Sequence, residues 1–265
     1  MKKVIIIVFL YVIFAYATGM SVDNGELAIS TRSGSESGKS ATVKIALNSI
    51  GTVDFRLGEL SVKHTGAKEY VDCDEEDKIF ALDTLTTGEE SKCEIILNDG
   101  STIRISEKSQ YVFESYTDKP NIAYVGNLLK GESWTNVNKS DKNARDFKVK
   151  SPIAVAAVVG TSYKMTSDGQ MTNIAVREGQ VNVDLEQQVK TKYNIIPPKK
   201  SNSMAPKEVG PPKEVPGPYE VTLNEWISIV KGEVISVRYD GRYNKFKTDI
   251  EQLEREWQEF MNSKK

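Results

Sequence analysis

Residues 93–106, CEIILNDGSTIRIS, are the feature that most restricts what this chain can fold into. Alternate residues are apolar on both sides of the pair Asp99-Gly100. This alternation is the period of a β-strand with one buried face, and Asp-Gly is a preferred turn between antiparallel strands. Residues 162–176, SYKMTSDGQMTNIAV, repeat the pattern around a second Asp-Gly pair. The two segments predict two β-hairpins.

The same pattern continues along much of the chain. Between residues 41 and 185, short alternating stretches are separated by turn residues about every ten positions, which is typical of an all-β domain. We therefore predict a mainly β fold with one all-β domain over residues 41–190.

Residues 151–165, SPIAVAAVVGTSYKM, are the most apolar part of this domain. The apolar run at 153–159 is too short to span a bilayer, and the chain has no phosphate-binding G-x-x-x-x-G-K-[ST] loop. We predict a central strand that begins at Pro152, is buried on both faces and ends in a turn or bulge at Gly160 and Thr161.

The remaining segments differ from the all-β domain in composition. Seven of the nine prolines lie within 197–218, a density that a packed domain cannot use because proline lacks a backbone N–H. The predicted organisation is a signal peptide (1–17), a flexible leader with an edge strand at GELAIS (18–40), the all-β domain (41–190), a proline-rich linker (191–218), additional strands (219–242) and an amphipathic helix (243–265).

The N-terminus has the features of a secretory signal peptide. Two lysines precede the apolar run VIIIVFLYVIF, and Ala15-Tyr16-Ala17 provides small residues where a signal peptidase cleaves. We expect cleavage after Ala17 and export to the periplasm or surface of a bacterium. The alternative is an uncleaved membrane anchor, although the run is short for that role.

The predicted export bears on whether the two cysteines form a disulfide. Cys73 and Cys93 are the only cysteines, and exported proteins keep disulfides. We predict one disulfide between them. The alternative is two separate thiols, because the sequence does not establish that the two side chains meet.

The C-terminal segment has the period of an amphipathic helix. Its apolar residues recur at spacings of three and four, which places them on one helix face. The predicted interaction face consists of Phe246, Ile250, Leu253, Trp257 and Phe260. This face could pack on the protein's own sheet, mediate self-association or bind a partner.

Residues that could carry chemistry are few. His64 is the only histidine, so a catalytic triad or a zinc site would have to be built around it, and we predict no catalytic residue, metal or cofactor. Five carboxylates between Asp72 and Asp77 could hold calcium, but their spacing does not match a calcium loop and favours an acidic turn. The net charge of −2 argues against a nucleic-acid partner.

In their order along the chain, these motifs resemble the FecR domain family. The resemblance covers about residues 80–185 and includes LTTG at 85–88, DGS at 99–101, LKGESW at 129–134 and the segment 147–183. Its motif residues are Gly88, Asp99, Gly100, Gly131, Trp134, Pro152, Gly160, Thr161 and Gly179. Val159 stands where the family often has arginine. The resemblance implies a solenoid-like or irregular β-sandwich unit.

The resemblance also implies a non-enzymatic role. We expect an exported protein-interaction or signalling scaffold in the cell envelope, with a protein partner and, through the helix, a route to self-association. One alternative is a cell-wall or carbohydrate-binding protein in which Trp134, Trp226 and tyrosines stack on sugars. Another is a membrane-anchored arm that regulates a sigma factor, with residues 4–17 as the anchor.

Overall fold

The computed structural model describes residues 17–23, 26–32, 40–46, 49–117, 123–138, 146–195, 221–223 and 226–263. Nearly all of the predicted signal peptide and most of the predicted proline-rich linker lie outside these residues. The first described segments form an antiparallel three-stranded sheet, with β1 at Ala17–Asp23, β2 at Glu26–Arg32 and β3 at Ser40–Ala46. Residues 26–30 of the predicted strand GELAIS lie in β2, within the stretch expected to be a flexible leader.

The rest of the described chain forms a β-rich body with two helices. Its strands are β4 (Ser49–Leu57), β5 (Leu60–Lys63), β6 (Val71–Asp72), β7 (Lys78–Phe80), β8 (Thr84–Thr87), β9 (Lys92–Leu97), β10 (Thr102–Ile105), β11 (Gln110–Thr117), β12 (Ala123–Asn136), β13 (Asp146–Lys150), β14 (Ala154–Val158), β15 (Ser162–Ser167), β16 (Met171–Glu178), β17 (Gln180–Leu185), β18 (Val221–Thr222), β19 (Ile227–Val230), β20 (Glu233–Arg238) and β21 (Arg242–Lys247). The helices are α1 (Gln187–Lys192) and α2 (Ile250–Asn262).

The strands of the body pair into two sheets. The front sheet has the order β7-β4-β9-β10-β12-β15-β16-β20-β21-β18. The back sheet has the order β6-β5-β8-β11-β12-β13-β14-β17-β19, and only its β12–β13 pair is parallel. The long strand β12 belongs to both sheets, because its first half pairs in the back sheet and its second half in the front sheet. This two-sheet unit confirms the predicted mainly β fold.

The hydrophobic core lies between the two sheets. Both predicted hairpins contribute to it, because Ile95 faces Ile103 across the β9–β10 pair and Met165 faces Ile174 across the β15–β16 pair. All four of these side chains are fully buried. Local alternation and the Asp-Gly turns therefore predicted these hairpins correctly.

The apolar run at 153–159 is buried on one face only. Strand β14 spans Ala154–Val158, its inward side chains are buried, and those of Val155 and Ala157 are partly exposed. The prediction of burial on both faces was wrong, because no described element covers the outer face of the back sheet here. Small and β-branched residues suit a flat exposed sheet face as well as a core.

The C-terminal helix begins later than predicted. Phe246 lies in β21, opposite Val234 of β20, and is half exposed, so it is not part of the helix face. The helix starts after Asp249, whose carboxylate accepts hydrogen bonds from the backbone N–H groups of Glu251 and Gln252. No helix among the described residues is both long and apolar enough to cross a membrane.

Candidate interaction surface

The residues that carry the family resemblance lie mostly at turns of the body. Gly88 follows β8, Asp99 and Gly100 connect β9 to β10, and Gly131 lies where β12 passes from one sheet to the other. Pro152, Gly160, Thr161 and Gly179 lie in the connections around β14 to β17. The structure therefore gives these residues roles in backbone geometry.

Turns at one edge of the body stack on one another. We define the turn row as residues 137–138, 159–161, 178–180 and 231–232. The N–H of Val137 donates to the Thr161 carbonyl at 2.9 Å, and the Thr161 hydroxyl donates to the Gln180 carbonyl at 2.8 Å. Hydrogen bonds thus join the first three of these turns, and the fourth follows Val230, which pairs with Gln180.

Gly179 allows two of these turns to pack closely. Its φ of +85° is a left-handed conformation, which side chains rarely adopt. A Cβ atom at this position would lie 2.9 Å from the Thr161 hydroxyl and 3.1 Å from the Gly160 carbonyl oxygen. Three residues of the family motif, Gly160, Thr161 and Gly179, therefore meet in the turn row and fix its shape.

Val159 projects from the turn row into solvent. Its exposure of 72% is the highest of the large apolar residues described, while the preceding Val158 is buried. Gln180, which lies in the next turn of the row, pairs with Val230 of β19, and Val230 is 45% exposed. An exposed apolar residue alone needs no explanation. Val159 follows β14 and Val230 ends β19, with only β17 between these two strands, so together they form a candidate contact surface. The sequence pattern did not identify Val159 as an exposed residue, because Val159 continues the apolar run at 153–159.

The carbohydrate-binding alternative requires an exposed Trp134 ring, but the structure places this side chain in a buried position. It is 1% exposed and lies on the outer face of the front sheet, beneath α2. Its ring meets that of Trp257 edge-to-face, with centroids 5.3 Å apart. Trp134 therefore cannot stack on a sugar while α2 is in place.

The helix α2 packs on the outer face of the front sheet. Leu253, Trp257 and Phe260 are buried there, and Ile250 packs against the same cluster. The predicted interaction face, apart from Phe246, is thus occupied by the protein's own sheet. This is the first of the three arrangements that the helical period allowed.

His64 follows β5, which lies next to the edge strand β6 of the back sheet. It lines a cleft of about 510 Å³, and its Nδ1 atom is 3.0 Å from Oδ1 of Asp83. The second carboxylate oxygen of Asp83 accepts the N–H of Phe80 at 2.9 Å. Burial raises the pKa of Asp83 above its usual value, while the Phe80 N–H and His64 oppose that rise. The pair connects the end of β5 to the turn after β7.

The acidic segment between Asp72 and Asp77 forms a turn, as the spacing favoured. Nη1 of Arg56 lies 3.0 Å from Asp72 and 3.8 Å from Asp74. Asp77 accepts the N–H of Asp74 at 2.7 Å. Within the described part of the chain, no group of three or more His, Cys, Asp or Glu side chains is arranged to hold a metal ion.

The two cysteines do not form the predicted disulfide. Cys73 and Cys93 are both buried free thiols in the core. Burial raises the pKa of Cys73 to about 12 and shifts the pKa of Cys93 in the same direction. Export alone suggested a disulfide, but small buried thiols also serve as ordinary core residues.

Comparison with known proteins supports the resemblance seen in the sequence. Residues 83–182 match the sequence model of the FecR protein family. They include every motif residue named above, from Gly88 to Gly179. The resemblance to the FecR family is therefore confirmed over these residues, and no curated protein matches the chain.

Solved structures provide a more distant comparison. Two crystal structures of a protein from Parabacteroides distasonis ATCC 8503, which is proposed to be an anti-sigma factor, align with TM-scores of 0.44. Their sequence identities are 15% and 14%, and each alignment covers 64% of this chain. The chain spans 62% of the length of each of these two proteins.

Proposed function

We propose that this chain is a non-enzymatic regulatory protein of the bacterial envelope that acts by contacting another protein through its turn row. The observation that carries the proposal is that Val159 stands out from turns fixed by Gly160, Thr161 and Gly179. A rigid apolar protrusion loses little conformational freedom on binding, which favours its use as a contact. The match of residues 83–182 to the FecR family model supports a regulatory role.

Export is part of this proposal. The lysines at the N-terminus, the apolar run after them and the small residues at Ala15 and Ala17 support a cleaved signal peptide. N-terminal sequencing of the protein isolated from the envelope tests this. A first residue of Thr18 supports export with cleavage, whereas a retained Met1 supports the membrane-anchored alternative.

Co-isolation of partner proteins with variants of the chain tests the proposed contact at Val159. Tagged protein is isolated from envelope extracts as wild type, as Val159→Asp and as Gln258→Asp, in which the exposed residue lies on α2. A charge at position 159 is expected to remove a specific co-isolated protein, while the change at 258 leaves it. An exposed substitution of this kind alters stability by only about 0.5 kcal/mol, so both variants remain folded. Equal recovery of the same partners by all three proteins would contradict the proposal.

A further inference from the structure

A cleft rich in tyrosine lies where the β15–β16 hairpin meets the turn between β20 and β21. The N–H of Tyr239 donates there to the Gln170 carbonyl at 2.8 Å. The volume of the cleft is about 380 Å³, which is typical of ligand sites. Its apolar lining comes from Met171, Tyr239 and Tyr243, and we call it the tyrosine cleft. Met171 is 38% exposed and Tyr239 is 42% exposed, so the described residues leave the cleft open.

The tyrosine cleft lies beside both ends of a chain segment that is outside the described residues, between Ile195 and Val221. Tyr193 precedes Ile195 by two residues, and its ring meets that of Tyr239 edge-to-face, with centroids 6.2 Å apart. Val221 pairs with Tyr243 between β18 and β21. The residues in between are therefore tethered at the cleft from both sides, which gives them a high effective concentration there.

The sequence of this tethered segment has a period of three. Residues 206–218 read PKEVGPPKEVPGP, in which PKEV occurs twice. Every third residue is apolar, namely Pro206, Val209, Pro212, Val215 and Pro218. A polyproline II helix has about three residues per turn, so it would present these residues on one face and the lysines and glutamates on the other two. A helix with one apolar face buries that face on an apolar partner surface.

We infer that the tyrosine cleft binds the apolar face of residues 206–218 of the same chain. Proline-rich segments dock in aromatic-lined grooves, because the polyproline II helix is already extended and loses little entropy on binding. This helix leaves its backbone carbonyls exposed, and the tyrosine hydroxyls and the Asn244 amide at the cleft are suitable donors to them. Asp168 and Arg238 also line the cleft and complement the lysine and glutamate faces in charge.

This inference does not depend on the proposed partner contact. Met171, at the tyrosine cleft, is the first residue of β16, whereas Glu178, in the turn row, is its last. The two sites therefore lie at opposite ends of this strand, and the failure of one proposal would leave the other untouched.

Photo-cross-linking within the purified full-length protein tests the docking. Benzoylphenylalanine is placed at Tyr239 or, as the control, at Tyr70, which is 41% exposed and does not line the cleft. Chains with natural nitrogen and chains labelled with nitrogen-15 are mixed in equal amounts and irradiated at several concentrations. Mass spectrometry then identifies the cross-linked peptides and their isotopes. We expect cross-links from position 239 to residues 206–218 between like isotopes at every concentration, and only traces from position 70.

Two double variants test the period of three. Val209→Ser with Val215→Ser removes apolar side chains from the proposed contact face, whereas Glu208→Ser with Glu214→Ser changes the neighbouring residues on another face. The valine variant should lower the yield from position 239 at least about threefold, because it removes apolar contact area, and the glutamate variant should leave the yield unchanged.

Three results would overturn the inference. Equal yields from positions 239 and 70, or no cross-link from position 239 to residues 206–218, would show that the segment does not dock in the cleft. Equal losses in the two double variants would show that the apolar face makes no specific contact. Mixed-isotope pairs that increase with concentration would show that the occupant is the segment of a second copy.

Discussion

Gly131 and Gly169 both have left-handed backbones but differ in what surrounds them. At Gly131, φ is +94° and a Cβ atom would lie 2.1 Å from the Ser109 hydroxyl and 2.6 Å from its Cα. At Gly169, φ is +83° and nothing lies within 4 Å. Gly131 is therefore required by both conformation and packing, whereas Gly169 is required by conformation alone.

Alanine substitutions should separate these two requirements. Gly131→Ala combines a left-handed penalty with a clash against backbone and should lower the free energy of unfolding by about 2–5 kcal/mol. Gly169→Ala should cost about 1 kcal/mol. Urea unfolding followed by circular dichroism measures both. Equal costs at the two positions would show that the close approach of Gly131 to Ser109 does not exist.

Thiol reactivity tests the state of the cysteines. Because the pKa of Cys73 is about 12 and that of Cys93 is also raised, thiolate is scarce near pH 8, and burial blocks reagents. Ellman's reagent should therefore label neither residue in the folded protein and both in urea without reductant. Labelling in urea that appears only after reduction would instead establish the disulfide that export suggested.

Among the elements, α2 has an apolar period that was predicted correctly, but the predicted helix began too early. Leu253, Trp257 and Phe260 lie on one helix face, as their spacing predicts. Phe246 fits the same spacing, but its backbone pairs with β20 and the helix begins only after Asp249. Pairing with a distant strand is not encoded in local periodicity, so the sequence alone did not place this boundary.

Removing the main anchor should release α2 alone. In Trp257→Ala, the amides of α2 should exchange with deuterium at least about tenfold faster, while those of the front-sheet strands keep their protection, because the helix has its own cluster. Gln258→Ala, at an exposed position of the same helix, is the control and should leave exchange unchanged. Loss of protection throughout the front sheet would show that α2 belongs to the main core.

At the scale of the whole molecule, features set by local sequence could be predicted, whereas features set by pairing between distant strands could not. The hairpins at Asp99-Gly100 and Asp168-Gly169 could be predicted because turn and alternation are local. The passage of β12 between two sheets could not, since it depends on partners that include β10, β11, β13 and β15. Of the candidate surface, the sequence indicated Gly160, Thr161 and Gly179, but the exposure of Val159 follows only from the stacking of turns.

The central claim is that the turn row is where this protein meets its partner. The most direct measurement places a photoreactive amino acid at Val159 or at Gln258 and irradiates intact cells. One defined partner is expected to be cross-linked from position 159 and none of it from Gln258, and excess wild-type protein should reduce the product. Cross-linking of the same partner from Gln258 with none from Val159 would contradict the account.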